Sequence, residues 1–580
     1  MRSRIWLLVA VLPLMVLAGC GGGSAAPPPP VVSISILSSQ ASVPAGGTAS
    51  FAASVTGTSN HSVTWKVNGT TGGDANVGMI DALGRYTAPM LVPSPAQLTI
   101  TAVSQADSKK SASATLTVTL AVAPSSAWLP VNDPTCTQAF AAIGQGAAGL
   151  DWVLKVNGAP ADPSYGAIDA SGVYTPPAAA PFPPRLNVTA ASQADATQTG
   201  SATAYLGASG PLVDQWLQLT PVQLGTSGGN ASDNSGNFCC SGTLGALVTR
   251  SGTNFILSNN HVLARSDLGK IGETITQPGL VDSQCGSGVD NIIAKLSQFA
   301  KLKGHPNNIA TADAALAQVI SGQVDPAGAI LGLGAISCGI PQPAPPANTT
   351  IVPAIGMPVA KSGRTSGITC GTIAVVNVAV QVQYTNTCGS NAGFVVNYDN
   401  QVEIDSTTFS APGDSGSLIV DSQTAQPTAL LYAGDSTSTI GNPIQDVLAA
   451  LADPTPPHAL PTFVGGGTYA VATCSGPRSG AVAVNAVRLT DQEIARARTA
   501  KENHATTLMA DPAVVGVGVG ESDTPGEAAI VLFVDKEKTP GSLPLLLDGV
   551  KTKIKLVNRF RAFAAACPAG RSREAGVPLR

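Results

Sequence analysis

The sequence is poor in charged residues. Asp, Glu, Lys and Arg make up only 11% of its 580 residues, whereas an average soluble domain contains roughly 25%. Lys and Glu lie largely on helix surfaces, so their scarcity argues against a helical cytosolic protein and favours sheets decorated with Ser, Thr, Asn and Gln. The chain also has no long basic or acidic run, and its net charge is -4. Nucleic acid and an anionic membrane surface are therefore not expected as electrostatic partners.

Glycine and proline are abundant, at 62 and 44 residues. These residues supply turns and linkers between short strands. The length predicts about three to five domains, each large enough to bury its own core. Composition alone therefore predicts a mainly β chain of several domains.

Residues 1–30 have the pattern of a targeting segment followed by a tether. Arg2 and Arg4 precede an apolar run that is too short to span a bilayer and suits a signal peptide over 1–19. The run ends in Leu-Ala-Gly before Cys20, which resembles a bacterial lipobox and implies cleavage before Cys20 and acylation of this residue. The alternative is an ordinary signal peptide with an incidental cysteine. Residues 20–30, rich in Gly and Pro, then form a tether. We expect the protein in the cell envelope, lipid-anchored at Cys20, in the outer membrane or at the cell surface if the organism is Gram-negative.

Two similar segments follow, 31–120 and 121–206. Ile80 and Ile168 begin matching Ile-Asp-Ala stretches that lie 88 positions apart, a domain-sized period. Each copy alternates polar and apolar residues between Gly, Pro and Asn turns, as the short strands of a sandwich do. The Trp spacing and the Asp-x-x-Gly-x-Tyr-Thr-x-Pro stretch resemble bacterial Ig-like domains. The resemblance implies two β-sandwiches that act as spacers or as an adhesive stalk, followed by a linker over 207–237.

Three segments of the region 238–452 carry residues suited to nucleophilic catalysis. A hairpin leads to His261, a run of small apolar residues begins at Asp313, and a Pro-Gly-Asp-Ser-Gly stretch contains Ser415. A hydroxyl is a weak nucleophile until a base takes its proton, and an imidazole needs a buried carboxylate to fix its tautomer and stabilise its charged form. The chain order His, Asp, Ser matches one known solution to that requirement.

These segments, with the Lys-Ser-Gly-Arg-Thr-Ser-Gly stretch 361–367, resemble the trypsin-like (chymotrypsin-fold) serine endopeptidases, most of all the bacterial α-lytic type. The resemblance implies a double β-barrel over 238–452 that hydrolyses peptide bonds through an acyl-enzyme. Ser415 is then the nucleophile, His261 the general base and later acid, and Asp313 the orienting carboxylate.

The resemblance also implies an oxyanion hole and a primary pocket. The N–H groups of Gly413 and Ser415 form the hole, and each such donor lowers the barrier by roughly 3–4 kcal/mol. Phe409 aligns with the bottom of the pocket, and Tyr432 and Gly434 with its wall. No acidic residue lies there, so cleavage after small or apolar residues is expected. Asp414 pairs with a mature N-terminus in activated relatives, and here a different partner is expected.

Some assignments have competitors. Ser436 also follows Gly-Asp, but Thr437 stands after it in place of Gly and no oxyanion loop precedes it. Asp267 and Asp290 are alternative carboxylates, although the first is close to His261 in sequence and the second lies in a segment of helical or surface character. The other four histidines are expected to be exposed or structural. No His or Cys spacing suggests zinc, so no metal or cofactor is predicted.

Two positions depart from the family pattern. Ser417 stands where the family has glycine, and Val262 stands where the family has a cysteine bonded close to the histidine. Cys240 therefore has to pair elsewhere or not at all.

The cysteine count is informative as well. Lipidation of Cys20 leaves nine of the ten cysteines, an odd number in an oxidising compartment. Cys370 and Cys388 flank a plausible hairpin and are the predicted disulfide. At least one other cysteine then stays free or pairs between chains.

The C-terminal part of the sequence changes in character. A Pro-rich linker over 453–488 precedes a predicted small α/β domain over 489–580. Its expected elements are a capped helix and three strands, over 494–509, 514–520, 528–534 and 550–557. A Gly-x-Gly-x-Gly spacing in the first strand suggests a nucleotide loop, but no helix and no Lys-Ser/Thr pair follow, so a Gly-rich strand is favoured.

The sequence thus predicts a membrane-anchored secreted serine endopeptidase with a protein or peptide substrate. The alternative is a cell-surface adhesion or binding lipoprotein whose protease-like domain is catalytically silent. Neither the substrate nor the oligomeric state follows from the sequence.

Overall fold

The computed structural model describes residues 31–568 except for 39–40, 132, 134, 145–148, 182, 208–214, 219, 236–237, 284, 286–290, 306–308, 391, 475–488 and 564, and except for the side chains of 37–38 and 565–568. The signal peptide, Cys20 and the tether lie outside the described residues. The protein is mainly β, with 48% of residues in strands and 7% in helices, so the predicted fold class is confirmed. Within the described part of the chain, no helix combines the length and the apolar character needed to cross a membrane.

The first repeat is a sandwich of two five-stranded sheets, in the orders β1-β3-β8-β7-β6 and β2-β10-β9-β4-β5. Strand β9 alternates exposed and buried residues, which places Leu98, Ile100 and Ala102 on the inner face with Trp65 and Tyr86. Its strands are β1 Ser33–Ser38, β2 Ser42–Pro44, β3 Thr48–Thr56, β4 Val63–Val67, β5 Thr70–Thr71, β6 Gly73–Asp74, β7 Gly78–Ile80, β8 Arg85–Thr87, β9 Gln97–Ser104 and β10 Ser111–Thr119.

The second repeat has the same plan, with a five-stranded sheet, β12-β20-β19-β15-β16, packed over smaller ones, β13-β18-β17 and β11-β14. It is fastened to the region that follows by a disulfide between Cys136 and Cys338. Trp128 adds hydrogen bonds to Gln223 and Gln342. Its strands are β11 Ala121–Ala123, β12 Ser126–Pro130, β13 Gln138–Ala139, β14 Ala141–Ile143, β15 Leu150–Val156, β16 Ala159–Pro160, β17 Ala167–Ile168, β18 Val173–Thr175, β19 Arg185–Ser192 and β20 Thr199–Gly207, with a 3-10 helix over Pro163–Tyr165.

The remainder of the chain is built on two large sheets. A nine-stranded sheet has the order β37-β23-β24-β28-β26-β25-β21-β22-β43, and a twelve-stranded sheet runs β27-β33-β36-β35-β34-β31-β32-β38-β39-β41-β40, with β42 beside β32 and β35. One buried apolar cluster joins residues of both sheets, for example Leu257 and Leu316 of the first with Leu418 and Leu430 of the second. The two sheets therefore meet over a shared core.

The strands of these sheets are β21 Thr226–Asn230, β22 Phe238–Leu244, β23 Ala246–Arg250, β24 Thr253–Ser258, β25 Thr274–Gln277, β26 Asn291–Phe299, β27 Ile309–Ala310, β28 Ala315–Val319, β29 Ile336–Ser337, β30 Ile340–Pro341, β31 Pro358–Gly363, β32 Gly367–Thr385, β33 Gly393–Asp405, β34 Leu418–Asp421, β35 Pro427–Gly434, β36 Ser438–Pro443, β37 Thr462–Phe463, β38 Val514–Glu521, β39 Ala528–Asp535, β40 Leu546–Leu547, β41 Val550–Val557, β42 Arg561–Ala562 and β43 Ala565–Pro568, of which β29 and β30 form a separate hairpin. The helices are α1 Asn260–Leu263, α2 Ile444–Ala450 and α3 Asp491–Leu508, with a 3-10 helix over Ala472–Cys474.

Two predicted boundaries need correction. The segment 207–237, predicted as a linker, contributes β21, which pairs with β22 and β25 inside the nine-stranded sheet. The C-terminal helix and strands form where predicted, and Thr490 and Glu493 make the expected capping box. They are not a separate domain, however, because β38 pairs antiparallel with β32 and so extends the twelve-stranded sheet. The edge strand of a sheet exposes unpaired backbone N–H and C=O groups, and the pairing of β38 with β32 satisfies such groups on β32.

Candidate active site

Strand pairing brings His261 and Asp313 together. Strand β24 runs antiparallel to β28, with Ser258 opposite Ala315. His261 follows the end of β24 in the short helix α1, and Asp313 precedes the start of β28, so the two residues leave the same edge of the sheet. Nδ1 of His261 lies 2.6 Å from Oδ2 of Asp313, and both side chains are buried.

Asp313 accepts hydrogen bonds from three directions. Oδ1 accepts from the backbone N–H of His261 at 3.2 Å. Oδ2 accepts from the imidazole and also from the hydroxyl of Tyr384 at 2.8 Å. Its own backbone N–H donates to Asn442, and its carbonyl accepts from Asn259. A carboxylate held this way keeps a fixed orientation and stabilises a positive charge on the imidazole.

Two buried tyrosines stand behind the carboxylate. The hydroxyls of Tyr384 and Tyr398 lie 2.6 Å apart. Burial, followed by the negative charge of Asp313, raises the pKa of both tyrosines well above 10.0. Both hydroxyls therefore stay protonated across the physiological range, and Tyr384 remains a donor to Asp313.

Ser415 lies in a tight turn between the two sheets. Gly413 and Gly416 flank it with φ values of 104° and 95°, which side chains with a Cβ rarely adopt. The turn is tied to β22 of the nine-stranded sheet, because Thr243 donates its N–H to the Ser415 carbonyl and its hydroxyl to the Gly413 carbonyl. Strand β22 also packs against α1. A Cβ on Gly242 would lie 2.5 Å from the Val262 side chain and 2.8 Å from the backbone carbonyl oxygen of Ser415. The structure thus holds Ser415 on the side of β22 that faces the turn bearing His261.

The hydroxyl of Ser415 does not point at the imidazole. It donates to the backbone carbonyl of Tyr432 at 3.0 Å. The second ring nitrogen of His261, Nε2, is buried and has no hydrogen-bond partner among the described residues. The structure therefore joins His261 to Asp313 directly and leaves the contact between His261 and Ser415 unmade.

A buried lysine is the partner of Asp414. Nζ of Lys361 lies 3.1 Å from Oδ2 of Asp414, and both side chains are fully buried. Burial opposes ionisation of Asp414, but the Lys361 charge and hydrogen bonds from Ser366, Thr365 and Ala411 outweigh it and hold the pKa of Asp414 below 3.8. Burial lowers the pKa of Lys361, and Asp414 partly offsets that effect. The pair anchors the turn that carries Gly413 and Ser415.

Replacing Lys361 by methionine is expected to lower the free energy of unfolding by about 3–5 kcal/mol, because it leaves Asp414 charged and buried without its partner. Denaturant unfolding of both proteins measures this loss. The matched control is Lys551→Met, which breaks the exposed Lys551–Glu527 pair and should cost less than about 1 kcal/mol. Equal losses in the two variants would contradict the anchoring role of Lys361.

The predicted pocket residues lie around an aromatic side chain from the C-terminal end of the chain. Phe409 is fully buried and packs in one apolar cluster with Val359, Ile373 and Phe563. A Cβ on Gly434 would lie 2.8 Å from the ring of Phe563. Tyr432 contributes its backbone carbonyl, which accepts from the N–H of Phe563 at 3.1 Å. Gly434 and the Tyr432 carbonyl therefore contact Phe563 directly, and Phe409 belongs to the same apolar cluster as Phe563.

A cavity of about 370 Å³ lies beside this site. Its lining includes His261, Tyr384, Asp233 and Arg561. Burial raises the pKa of Asp233 to about 6, against an ordinary value of 3.8, although the charges of Arg265 and His261 oppose the shift.

Because the folded protein binds the Asp233 proton more tightly than the unfolded chain, this group destabilises the fold as pH rises from 3.8 to 6. Asp233→Asn removes that loss. The unfolding free energy of the variant, relative to wild type, should rise by about 1–3 kcal/mol between pH 4 and pH 7. Denaturant unfolding at both pH values measures the difference, and a constant difference would show that Asp233 titrates normally.

The competing residues lie elsewhere. Asp267 accepts from Asn260 and from the backbone N–H groups of Leu302 and Lys303, so its carboxylate is used in a loop. Ser436 is exposed in the β35–β36 turn. Asp290 falls outside the described residues. Within the described chain, no group of three or more His, Cys, Asp or Glu side chains forms a metal site.

The predicted disulfide between Cys370 and Cys388 is wrong. Cys370 bonds Cys474, and Cys388 bonds Cys240. Cys370 lies near the start of β32, and Cys388 lies just beyond its end. The strand is 19 residues long, so its length keeps the two cysteines apart. A fourth disulfide joins Cys239 to Cys285. Cys20 and Cys567 are positions at which the structure describes no side chain.

Several site residues were missed from the sequence. Tyr384 and Asn442 contact Asp313, and Tyr398 contacts Tyr384, only through the pairing of β32, β33 and β36, and no local motif marks these residues. Lys361, the partner of Asp414, is the first residue of the Lys-Ser-Gly-Arg stretch described above. Because a lysine is ordinarily exposed, the sequence did not predict that this side chain is buried. Phe563 is far along the chain, in a segment predicted as part of another domain.

No family model matches the chain, and no curated protein matches it. Among solved structures, one described as a glutamic acid specific serine protease that utilizes a novel histidine triad in substrate binding is 16% identical with a TM-score of 0.28, covering 40% of this chain and 97% of its own. Thermobifida fusca Protease A is also 16% identical, with a TM-score of 0.25, over 41% of this chain and 98% of its own. Tandem Ig repeats of Dlar are 18% identical with a TM-score of 0.13, over 31% of this chain and 99% of their own. Likeness at this level assigns neither an activity nor a substrate to the chain.

Proposed function

We propose that the protein is a serine endopeptidase of the cell envelope, anchored through a lipid on Cys20, that cleaves peptide bonds through Ser415, His261 and Asp313. The observation that carries the proposal is the buried His261–Asp313 pair at 2.6 Å, next to a glycine-flanked serine in a turn of fixed geometry. Asp313 orients the imidazole, and the imidazole takes the Ser415 proton once the hydroxyl leaves the Tyr432 carbonyl.

The reaction needs a place for the negative charge that develops on the attacked carbonyl oxygen. The backbone N–H of Gly413 already binds a carbonyl oxygen, that of Phe563, at 2.5 Å. Buried and fixed by the Lys361–Asp414 pair, this donor requires no reorganisation during the reaction. The apolar pocket around Phe409 and Gly434 supports cleavage after an apolar residue. Four disulfides support an oxidising compartment.

The second candidate is a binding protein with a silent protease-like domain. It is favoured by the hydrogen bond from Ser415 to Tyr432 and by the filled pocket. It differs from the first in one respect that is simple to measure, since only an activated serine reacts with a fluorophosphonate.

Fluorophosphonate labelling therefore tests the proposal. Because Phe563 covers the pocket, the full chain and its Phe563→Glu variant are both exposed to the probe, and the labelled peptide is identified by mass spectrometry. Label on Ser415 in either protein, lost in Ser415→Ala and kept in Ser436→Ala, supports the endopeptidase. Absence of label from both proteins would sink it and leave the binding protein.

A further inference from the structure

The chain places its own C-terminal segment along the wall of the proposed cleft. Strand β42 lies antiparallel to the end of β35, with Ala562 opposite Ala433 and Arg561 opposite Gly434. Phe563 continues the ladder by donating its N–H to Tyr432. An extended segment added to a sheet edge is a common way of binding a peptide, in which main-chain bonds give affinity and pockets give specificity.

The position of Phe563 matches that of a residue about to be cleaved. Its carbonyl oxygen accepts a hydrogen bond from the backbone N–H of Gly413, which is the donor expected to stabilise an oxyanion. Its ring is buried, with 6% exposed, against Gly434 and in the same apolar cluster as Phe409. The Tyr432 carbonyl, which binds its N–H, also accepts from the Ser415 hydroxyl. Phe563 thus makes three contacts expected of a substrate residue: its carbonyl binds the Gly413 N–H, its ring occupies the apolar site, and its N–H pairs with the edge of the sheet.

The segment then crosses to the other sheet. Strand β43 pairs antiparallel with β22, with Ala566 opposite Cys240. Strand β22 is the strand that holds the Ser415 turn through Thr243. The chain therefore spans the cleft from the twelve-stranded sheet to the nine-stranded sheet and is held on both sides.

We propose that residues 561–563, followed by the backbone of β43, bind the active site in the register of a peptide substrate and block it in cis, with Phe563 as the residue that the primary pocket selects. This inference rests on the proposed endopeptidase function. The segment acts as an inhibitor and not as a substrate, because the Ser415 hydroxyl is held by Tyr432 while His261 Nε2 has no hydrogen-bond partner among the described residues. A free substrate of the enzyme accordingly carries a large apolar residue on the acyl side of the cleaved bond.

The test compares rates of fluorophosphonate labelling of Ser415 in three full-length proteins. In Phe563→Glu, a carboxylate in an apolar pocket is costly, so the segment leaves the cleft. This variant should label at least about 10-fold faster than wild type, because the burial that holds the ring is lost. The control is Leu556→Glu, an exposed residue, 65% accessible, on strand β41, which precedes β42 in the chain; this variant should label at the wild-type rate.

A synthetic peptide covering 559–563 provides a second measurement, which reports whether the cleft of the variant is intact and empty. Added to Phe563→Glu, it should slow labelling, and the same peptide with glutamate for phenylalanine should not. Equal labelling rates of wild type and Phe563→Glu overturn the block while leaving the endopeptidase intact. A Ser415-dependent cut after Phe563 in wild type also overturns it, because the segment is then a substrate. If none of the proteins is labelled, the proposed endopeptidase function is itself wrong.

Discussion

Replacing Ser415 by alanine is expected to lower the turnover number for peptide hydrolysis by about 10⁶-fold. Alanine removes the only oxygen at this position that forms the acyl-enzyme, and neither His261 nor Gly413 supplies another nucleophile. The fold should persist, because within the described part of the chain the hydroxyl makes one hydrogen bond, to the Tyr432 carbonyl. Substrate binding should be little changed, since the pocket and the Gly413 N–H do not involve this oxygen.

The measurement uses a chromogenic peptide with phenylalanine on the acyl side, and it is made in wild type and in the Phe563→Glu background so that the cleft is open. Ser436→Ala is the matched control, because Ser436 shares the Gly-Asp-Ser sequence but is exposed in a turn. A loss of turnover in Ser436→Ala, with Ser415→Ala unaffected, would move the nucleophile to the competing serine.

The second large effect is expected for Asp313→Asn, which should lower turnover by about 10⁴-fold. Asparagine keeps the size of the side chain but carries no charge, so it cannot stabilise an imidazolium. Its NH₂ group would also face His261 Nδ1 or the Tyr384 hydroxyl, both of which now donate to Oδ2. The imidazole is then driven into the tautomer that carries its proton on Nε2, and this nitrogen can no longer accept the Ser415 proton.

Two comparisons make this prediction specific. Tyr384→Phe removes one donor and leaves the charge, so its loss of turnover should be much smaller than that of Asp313→Asn. Asp267→Asn tests the competing carboxylate, whose hydrogen bonds go to Asn260 and to backbone N–H groups. A 10⁴-fold loss in that variant, with activity retained in Asp313→Asn, would reverse the assignment.

Local patterns predicted the elements of this protein well. The alternation in β9, the Thr490–Glu493 capping box and the strands around 514–534 all form where periodicity and capping chemistry indicate. His261, Asp313 and Ser415 were singled out because each lies in a short motif. Their mutual geometry was not readable in the same way, since it depends on the pairing of β24 with β28 and on the bonds from β22 to the Ser415 turn.

What the sequence missed depends on long-range register. Lys361 pairs with Asp414, 53 positions away, and Tyr384 reaches Asp313 across 71 positions. The cysteine pairing failed for the same reason: two cysteines that flank a hairpin are neighbours only if the hairpin is short. The C-terminal strands were assigned correctly one by one, but a strand's sequence does not tell whether its edge is paired within its own unit or with another.

The pairing of β38 with β32 has a quantitative consequence for the cleft. Because it makes the C-terminal strands part of the same sheet as β35, the segment that carries Phe563 is a tethered ligand with an effective concentration on the order of millimolar. Dilution of the protein does not release such a ligand. A competing substrate of similar intrinsic affinity would have to reach a concentration on the order of millimolar to displace the segment. The connection between Val557 and Arg561, which links the last long strand to the cleft, is therefore the place where a single cut would convert a permanent occupant into a dissociable one.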